Sequence, residues 1–182
     1  PDLRRHNFAK EIADVVKLLR VRATNPGVEL FGRTPAEPIE ADFDDEAMHR
    51  AVLNVVTNAI DAASQFERVD ESAAGRVLIT AELQQAKGIV RIDVEDNGSG
   101  IADQELTKIF SPFESNKGAR GTGLGLPVSQ KILREHGGDI TVRSRLGDGT
   151  TFTLQWPAYR SQMPGEQVPG DAAPPQTGAV NE

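Results

Sequence analysis

Apolar residues recur along the chain with helical and strand periods, and these periods predict its elements. Apolar positions three and four residues apart predict an amphipathic helix over residues 7–23 and a second helix, capped by Asp44 or Asp45, that runs to about Phe66. A third helical pattern ends at His136. Alternating or short apolar runs predict strands over residues 28–31, 39–41, 76–83, 88–95, 139–144 and 150–156.

The two strands nearest the N-terminus are separated by a turn region that holds Pro35 and Pro38. Both strands are short, and they follow each other across this turn. We therefore expect residues 28–31 and 39–41 to pair as an edge hairpin.

The length of 182 residues with 38% hydrophobic composition allows one domain with a proper core. From residue 158 onward, prolines alternate with Gly, Gln and Asp, and apolar side chains become too sparse to bury. The sequence thus predicts a folded domain over residues 1–157 and a disordered tail over residues 158–182.

The net charge of -7 argues against unaided binding to nucleic acid or to an anionic membrane. The chain has no cysteine, which excludes disulfides and thiolate metal sites and fits a reducing cytoplasm. It also lacks an apolar run long enough to span a bilayer or to form a signal peptide. Because it begins at Pro1 without a methionine, we expect it to be part of a longer protein.

Two glycine clusters mark the candidate site. The first, residues 96–100, directly follows a predicted strand, so the carboxylate of Asp96 projects from the strand end as a fixed acceptor. The second, residues 121–126, precedes a helix, where exposed backbone N–H groups favour phosphate. Together they predict a nucleotide pocket.

Three polar residues share one face of the second helix. Asn54 and Asn58 are four residues apart, and Asp61 follows Asn58 by three. They are either a polar stripe bonded to a neighbouring loop or oxygen ligands of a magnesium ion that keeps waters and phosphates as its other ligands. Their spacing alone does not separate these two interpretations.

Five segments, in this order, resemble the N, G1, F, G2 and G3 boxes of the catalytic ATP-binding domain of sensor histidine kinases. They cover residues 54–62, 96–101, 109–113, 121–126 and 147–152. That family is related to DNA gyrase, the MutL repair proteins and the ninety-kilodalton heat-shock chaperones. The resemblance implies an α/β two-layer sandwich of the Bergerat ATP-binding type, with a mixed, mostly antiparallel sheet of about five strands packed on three helices.

The resemblance also implies roles for the glycine clusters. Asp96 accepts a hydrogen bond from the exocyclic amine of adenine, and Thr151 supports Asp96 directly or through water. Glycines of the first cluster let the base lie against the backbone, and the second cluster offers N–H groups to the phosphates. The further nucleotide-binding positions are Gly98, Gly100, Ile101, Gly121, Thr122, Gly123, Leu124, Gly125 and Leu126.

On the second helix, the resemblance makes Asn58 the magnesium ligand and places Asn54 near the phosphates. Asp61 stands where many of these kinases have a basic residue, so its role stays open among the nucleotide-binding positions. Hydrolytic relatives carry a glutamate where this chain has Asn54, and an amide cannot accept a proton from water at neutral pH. Water is therefore not the expected acceptor.

Between the glycine clusters, a glycine-rich polar segment is expected to fold over the ligand as a mobile lid. Under the resemblance, Lys117 and Arg120 reach the terminal phosphates from this lid. Phe110 and Phe113 anchor it.

The implied function is that of a protein-histidine kinase: the domain binds ATP and Mg²⁺ and donates the γ-phosphate to a histidine of a separate helical dimerisation domain. None of His6, His49 and His136 lies in a segment suited to be that acceptor. The resemblance further implies a response-regulator receiver domain as partner and a cytoplasmic site of action within a phosphoprotein. Two alternatives remain: a serine kinase of the anti-sigma-factor type and a regulatory nucleotide-binding module without catalysis.

Overall fold

A computed structural model describes residues 1–65, 74–111 and 124–159 of the chain. The strands are β1 (Arg4–Asn7), β2 (Val28–Arg33), β3 (Glu40–Phe43), β4 (Gly75–Gln84), β5 (Ile89–Asp96), β6 (Asp139–Arg145) and β7 (Gly149–Pro157). The helices are α1 (Phe8–Thr24), α2 (Asp45–Gln65), the single turn α3 (Asp103–Leu106) and α4 (Gly125–Glu135). The predicted strands and long helices are thus present, with bounds that differ by a few residues.

Five strands form one mixed sheet in the order β2-β4-β5-β7-β6. Only β2 and β4 run parallel, and the other neighbours are antiparallel. The inward-facing residues of β5 and β7 are buried, and the long helices α1, α2 and α4 pack on that face. The predicted two-layer α/β fold with a mixed, mostly antiparallel sheet is confirmed.

The predicted edge hairpin is wrong. Strand β2 lies at the edge of the main sheet, parallel to β4, where Val28 and Leu30 are buried. Strand β3 pairs instead with β1 in a separate two-stranded sheet, in which Arg5 Nε donates to Asp42 Oδ1 over 2.7 Å. Because β1 carries polar side chains, it has no apolar alternation by which the sequence could reveal it.

An aromatic cluster joins the two sheets to the first helix. Phe8 at the start of α1 lies 5.3 Å from Phe43 of β3 and 4.8 Å from Trp156 of β7, measured between ring centroids. Both contacts are edge-to-face, the arrangement that the ring quadrupoles favour. All three side chains are buried, so this cluster fixes the small sheet on the main core.

A buried histidine fixes the start of α2. Asp44 caps the helix, since its Oδ1 accepts the backbone N–H of Ala47 over 3.0 Å. The backbone N–H of Asp44 donates to Nε2 of His136 over 3.0 Å, and Nδ1 of His136 lies 2.7 Å from the carbonyl of Ile132. A carbonyl only accepts, so Nδ1 carries the proton of a neutral ring. Burial lowers the pKa of His136 below its usual value of 6.5.

Some predictions fall outside the described residues. These are the predicted lid and residues 160–182 of the predicted tail. Within the described part, no helix is long and apolar enough to cross a membrane.

The neutral His136 predicts a loss of stability in mild acid. Below about pH 6.5 the unfolded chain binds a proton that the folded chain resists, so the free energy of unfolding falls as the pH falls. His136→Gln removes this term, while its amide oxygen can still accept from Asp44. Urea unfolding at pH 7.5 and pH 5.0 should therefore show a larger loss for the wild type than for the variant, and parallel pH profiles would contradict this account.

Candidate functional site

The side chain of Asn54 faces the first turn of α4. Its Nδ2 donates to the carbonyl oxygen of Gly125 and to Oγ of Ser129, each over 3.3 Å. Ser129 is fully buried and also contacts the carbonyls of Gly125 and of Ala51. Asn54 thus ties α2 to α4, the helix that the second glycine cluster precedes.

Farther along α2, Asp61 contacts α1. Its Oδ1 lies 3.5 Å from Nη2 of Arg22, and both side chains are partly exposed, so this ion pair contributes little stability. Asp61 thus connects α2 to α1, and its role in nucleotide binding stays a prediction.

Asn58 lies between these two contacts on the same helix face. In the described ranges no group of three or more His, Cys, Asp or Glu side chains is placed to hold a metal ion. A carboxamide oxygen beside a carboxylate still suits Mg²⁺, because this ion prefers hard oxygen donors and needs few from the protein when phosphates and waters complete its shell. The residues present therefore fit the predicted ion.

Asp96 ends β5 as predicted, and its side chain is buried, with 4% of the residue exposed. The backbone N–H of Gly98 donates to its Oδ1 over 2.9 Å. Burial raises the pKa of Asp96 from 3.8 to about 6, although the backbone amides of Gly98 and Thr150 partly offset the rise. Near neutral pH this strand end therefore carries a poorly solvated acceptor.

The glycines after Asp96 allow close backbone approaches. A Cβ atom on Gly98 would lie 2.6 Å from the backbone carbon of Ala62 in α2, and one on Gly100 would lie 2.0 Å from the carbonyl oxygen of Arg145. Gly100 also has φ of +70°, which favours glycine. Packing of the chain thus requires both glycines, and their predicted contact with adenine remains a prediction.

The threonine opposite Asp96 is Thr150. The register of β5 and β7 pairs Asp96 with Thr150 and places Thr151 beside Glu95, on the other face of the sheet. The predicted neighbour of Asp96 in β7 is therefore corrected from Thr151 to Thr150. Alternation already indicated this, because the parity that puts Phe152, Leu154 and Trp156 inward also puts Thr150 inward.

Ser144 connects Thr150 to the loop after the first glycine cluster. Its Oγ lies 2.8 Å from Oγ1 of Thr150 and accepts the backbone N–H of Ile101 over 2.8 Å. Sequence analysis missed both Ser144 and Ser129. Neither serine stands in a motif, and only the three-dimensional packing brings them to the site.

Some of the other predicted site residues lie in the described part of the chain, and the rest lie outside it. Ile101, Phe110 and Leu126 are partly buried and pack against the core, while Leu124 and Gly125 lie at the start of α4. The remaining ones lie outside the described residues: Phe113, Lys117, Arg120, Gly121, Thr122 and Gly123.

Helix α2 brings the described parts of the site together. Gly98 lies against Ala62 near its C-terminal end, and Gly125 lies beside Asn54 about two turns earlier. Asn58 sits between these contacts. The face of α2 that carries the two asparagines is thus bounded by a buried carboxylate at the end of β5 and by the first turn of α4. This arrangement suits a ligand with a hydrogen-bonding ring at one end and phosphates at the other.

Comparisons with known proteins agree with this geometry. The family described as histidine kinase-, DNA gyrase B-, and HSP90-like ATPase matches residues 43–160. The histidine protein kinase DivJ of Caulobacter vibrioides is 36% identical over 152 residues, which make up 81% of this chain and 24% of DivJ. This chain thus spans about a quarter of that relative.

Solved structures give the same result. The catalytic domain of the histidine kinase ThkA superimposes with a TM-score of 0.74 at 29% identity, covering 87% of this chain and 99% of that domain. A structure of ThkA in complex with the response regulator protein TrrA superimposes with a TM-score of 0.71 at 25% identity, covering 88% of this chain and 43% of that one. The chain therefore belongs to the histidine kinase-, DNA gyrase B- and HSP90-like ATPase family, as a catalytic domain of the histidine kinase type.

Proposed function

We propose that this domain binds Mg-ATP and donates the γ-phosphate to a histidine on a separate helical dimerisation domain, in two-component signal transduction. The observation that carries the proposal is the burial of Asp96 at the end of β5, beside the helix that bears Asn58. Family membership supports ATP as the nucleotide.

The carboxylate of Asp96 supports selectivity for adenine. A pKa raised from 3.8 to about 6 means that the ionised group destabilises the empty fold by about 3 kcal/mol near neutral pH. A ligand N–H donor relieves part of that penalty. Adenine presents an exocyclic amine, whereas guanine presents a carbonyl oxygen at the same position, which the carboxylate would repel.

Asn58 supports the phosphate end of the proposal. Its carboxamide oxygen would bind the magnesium ion, with Asp61 one turn farther along α2. The ion, when bound, neutralises charge on the phosphates of the nucleotide. Lys117, Arg120 and the glycines over residues 121–125 would contact the same phosphates, as the sequence predicts.

The histidines of the chain support an acceptor on another domain. His136 is buried, and both of its ring nitrogens are hydrogen-bonded. His49 contacts Glu11 of α1, and His6 packs on the ring of Phe43. Transfer forms a bond between an imidazole nitrogen and the γ-phosphorus while the bond to the β-phosphate oxygen breaks and ADP leaves, so the acceptor nitrogen must be free and in line.

The response regulator is the second proposed partner. The structure of ThkA with the response regulator protein TrrA supports a receiver domain as the next acceptor of the phosphoryl group. The serine-kinase alternative is less favoured, since the relative DivJ is a histidine protein kinase and this chain has Asn54 where that class is expected to carry a glutamate.

Asp96→Asn should weaken Mg-ATP binding and stabilise the empty protein. The amide keeps the shape but accepts a weaker hydrogen bond, so the dissociation constant should rise about tenfold or more. The same change removes the buried charge, so the free energy of unfolding at pH 7.5 should rise by about 1 to 3 kcal/mol. Calorimetric titration and urea unfolding measure the two effects. Unchanged affinity, or equal wild-type affinity for ATP and GTP, would refute the role of Asp96.

The affinity for Mg-ATP should also fall in mild acid. Protonation of Asp96 below about pH 6 replaces the acceptor with a neutral carboxyl group that binds the adenine amine less well. Titrations at pH 7.5 and 5.5 with saturating magnesium should show this loss in the wild type. Asp96→Asn is the matched control, because it shares every other titration of nucleotide and protein, and its affinity should change less.

Phosphotransfer tests the whole proposal. The chain alone, incubated with radiolabelled ATP, should acquire no label and release little phosphate, because none of its own histidines lies in a segment expected to reach the γ-phosphate in line and Asn54 is not a base. Addition of the dimerisation helices of its parent protein should give an acid-labile, base-stable label on those helices, and Asn58→Ala should abolish it. Acid-stable label on a serine would support the alternative kinase, and steady hydrolysis by the lone chain would contradict the proposal.

A further inference from the structure

The contact between α2 and α4 concentrates on one buried serine. Ser129 is fully buried, and its Oγ lies 2.9 Å from the carbonyl oxygen of Gly125, 3.2 Å from that of Ala51 and 3.3 Å from Nδ2 of Asn54. A hydroxyl has one proton to donate and can accept from a neighbour. Ser129 therefore donates to one of the two carbonyls and accepts from Asn54.

The carbonyl of Gly125 is the shared point of this network. It lies within hydrogen-bond distance of both Asn54 Nδ2 and Ser129 Oγ. Gly125 belongs to the second glycine cluster and is also the first residue of α4. The backbone position at which that cluster enters α4 is thus held by side chains of both helices.

The anchored position contacts α2 one helical turn before the candidate metal ligand Asn58. Asn54 and Asn58 are one helical turn apart on α2, so a group that fixes Gly125 to Asn54 also fixes its position relative to Asn58. We propose that Ser129 and Asn54 are positioning residues, which hold the entry of α4 at the distance from Asn58 that a metal-bound triphosphate needs. This inference rests on the proposed function, because it assigns the tie to that same nucleotide site.

The network also gives a reason for an amide at position 54. Nδ2 of Asn54 donates to a carbonyl oxygen, which can only accept. A carboxylate there would place two acceptors 3.3 Å apart in a partly buried contact, and one of the ties to α4 would be lost. Asparagine at this position thus supplies a donor for α4, in addition to withholding a base from water.

The test compares phosphate-rich with phosphate-poor ligands. A positioning role predicts that Ser129→Ala and Asn54→Asp raise the dissociation constant of Mg-ATP about threefold to tenfold. AMP binds mainly through its base, so its dissociation constant should rise by less than about twofold in the same variants. Ser129→Cys, which keeps a weak donor and a similar volume, should lie between wild type and Ser129→Ala. In the double variant Ser129→Ala with Asn54→Asp, the dissociation constant of Mg-ATP should rise by less than the product of the two single increases. Both residues act through one network, so their effects are not independent.

Thr153→Val is the matched control. It removes another largely buried hydroxyl, which donates to Asp93 on the far face of the sheet, away from α2 and α4. Its unfolding free energy should fall as in Ser129→Ala, while its ratio of AMP to ATP affinity stays that of the wild type. With the dimerisation helices added, the phosphotransfer rate at saturating ATP should fall in Ser129→Ala and not in Thr153→Val.

Three results would overturn the inference. The first is an equal loss of ATP and AMP affinity in Ser129→Ala, which would show a merely structural serine. The second is unchanged ATP affinity in Asn54→Asp, which remains decisive even if Ser129→Ala fails to fold. The third is a wild-type chain that binds no Mg-ATP, which would remove the proposed function together with the inference, whereas in the first two the proposed function stands.

Discussion

Burial of the Asp96 carboxylate is the constraint on which the rest of the site depends. Neighbouring backbone approaches the end of β5 closely enough to bury this carboxylate. A Cβ on Gly98 would lie 2.9 Å from Asp96 Oδ1, and one on Gly149 would lie 2.0 Å from the Asp96 carbonyl oxygen. Glycines thus allow α2 and β7 to enclose the charge, and this enclosure is what raises its pKa. The empty fold carries a stability cost that a hydrogen-bonding ligand reduces.

Helix α2 runs from the Asp96 carboxylate to the first turn of α4, which bounds the other end of the site. Its inner face packs into the core, where Val52, Val55 and Val56 are fully buried. Its polar face meets α4 at Asn54 and continues to Asn58. A helix held so firmly fixes the separation of side chains one turn apart, so the groups that we propose to bind the base, the metal and the phosphates are held at fixed separations. In the proposed reaction, such preorganisation favours in-line transfer of the γ-phosphate to the histidine over transfer to water.

Much of this could be predicted from the sequence because the elements concerned are amphipathic. The stripe on α1, the stripe on α2 and the alternation in β4, β5 and β7 each have enough apolar residues to define a period. Asp96 was predicted to be an acceptor at a strand end because it ends such an alternation. The pairing of β1 with β3 and of β2 with β4 was not predicted, since β1 is polar and β2 and β3 are too short for their apolar residues to specify a partner. Ser129 shows a further limit, because its contacts depend on the packing of α4 against α2.

The most direct measurement is a carbon-detected NMR titration of the Asp96 side-chain carboxyl, with and without saturating Mg-ATP. We expect a pKa of about 6 in the empty protein and a clearly lower pKa in the complex, because the nucleotide supplies a donor to the ionised form. A pKa near 3.8 in the empty protein, or one that Mg-ATP leaves unchanged, would contradict it.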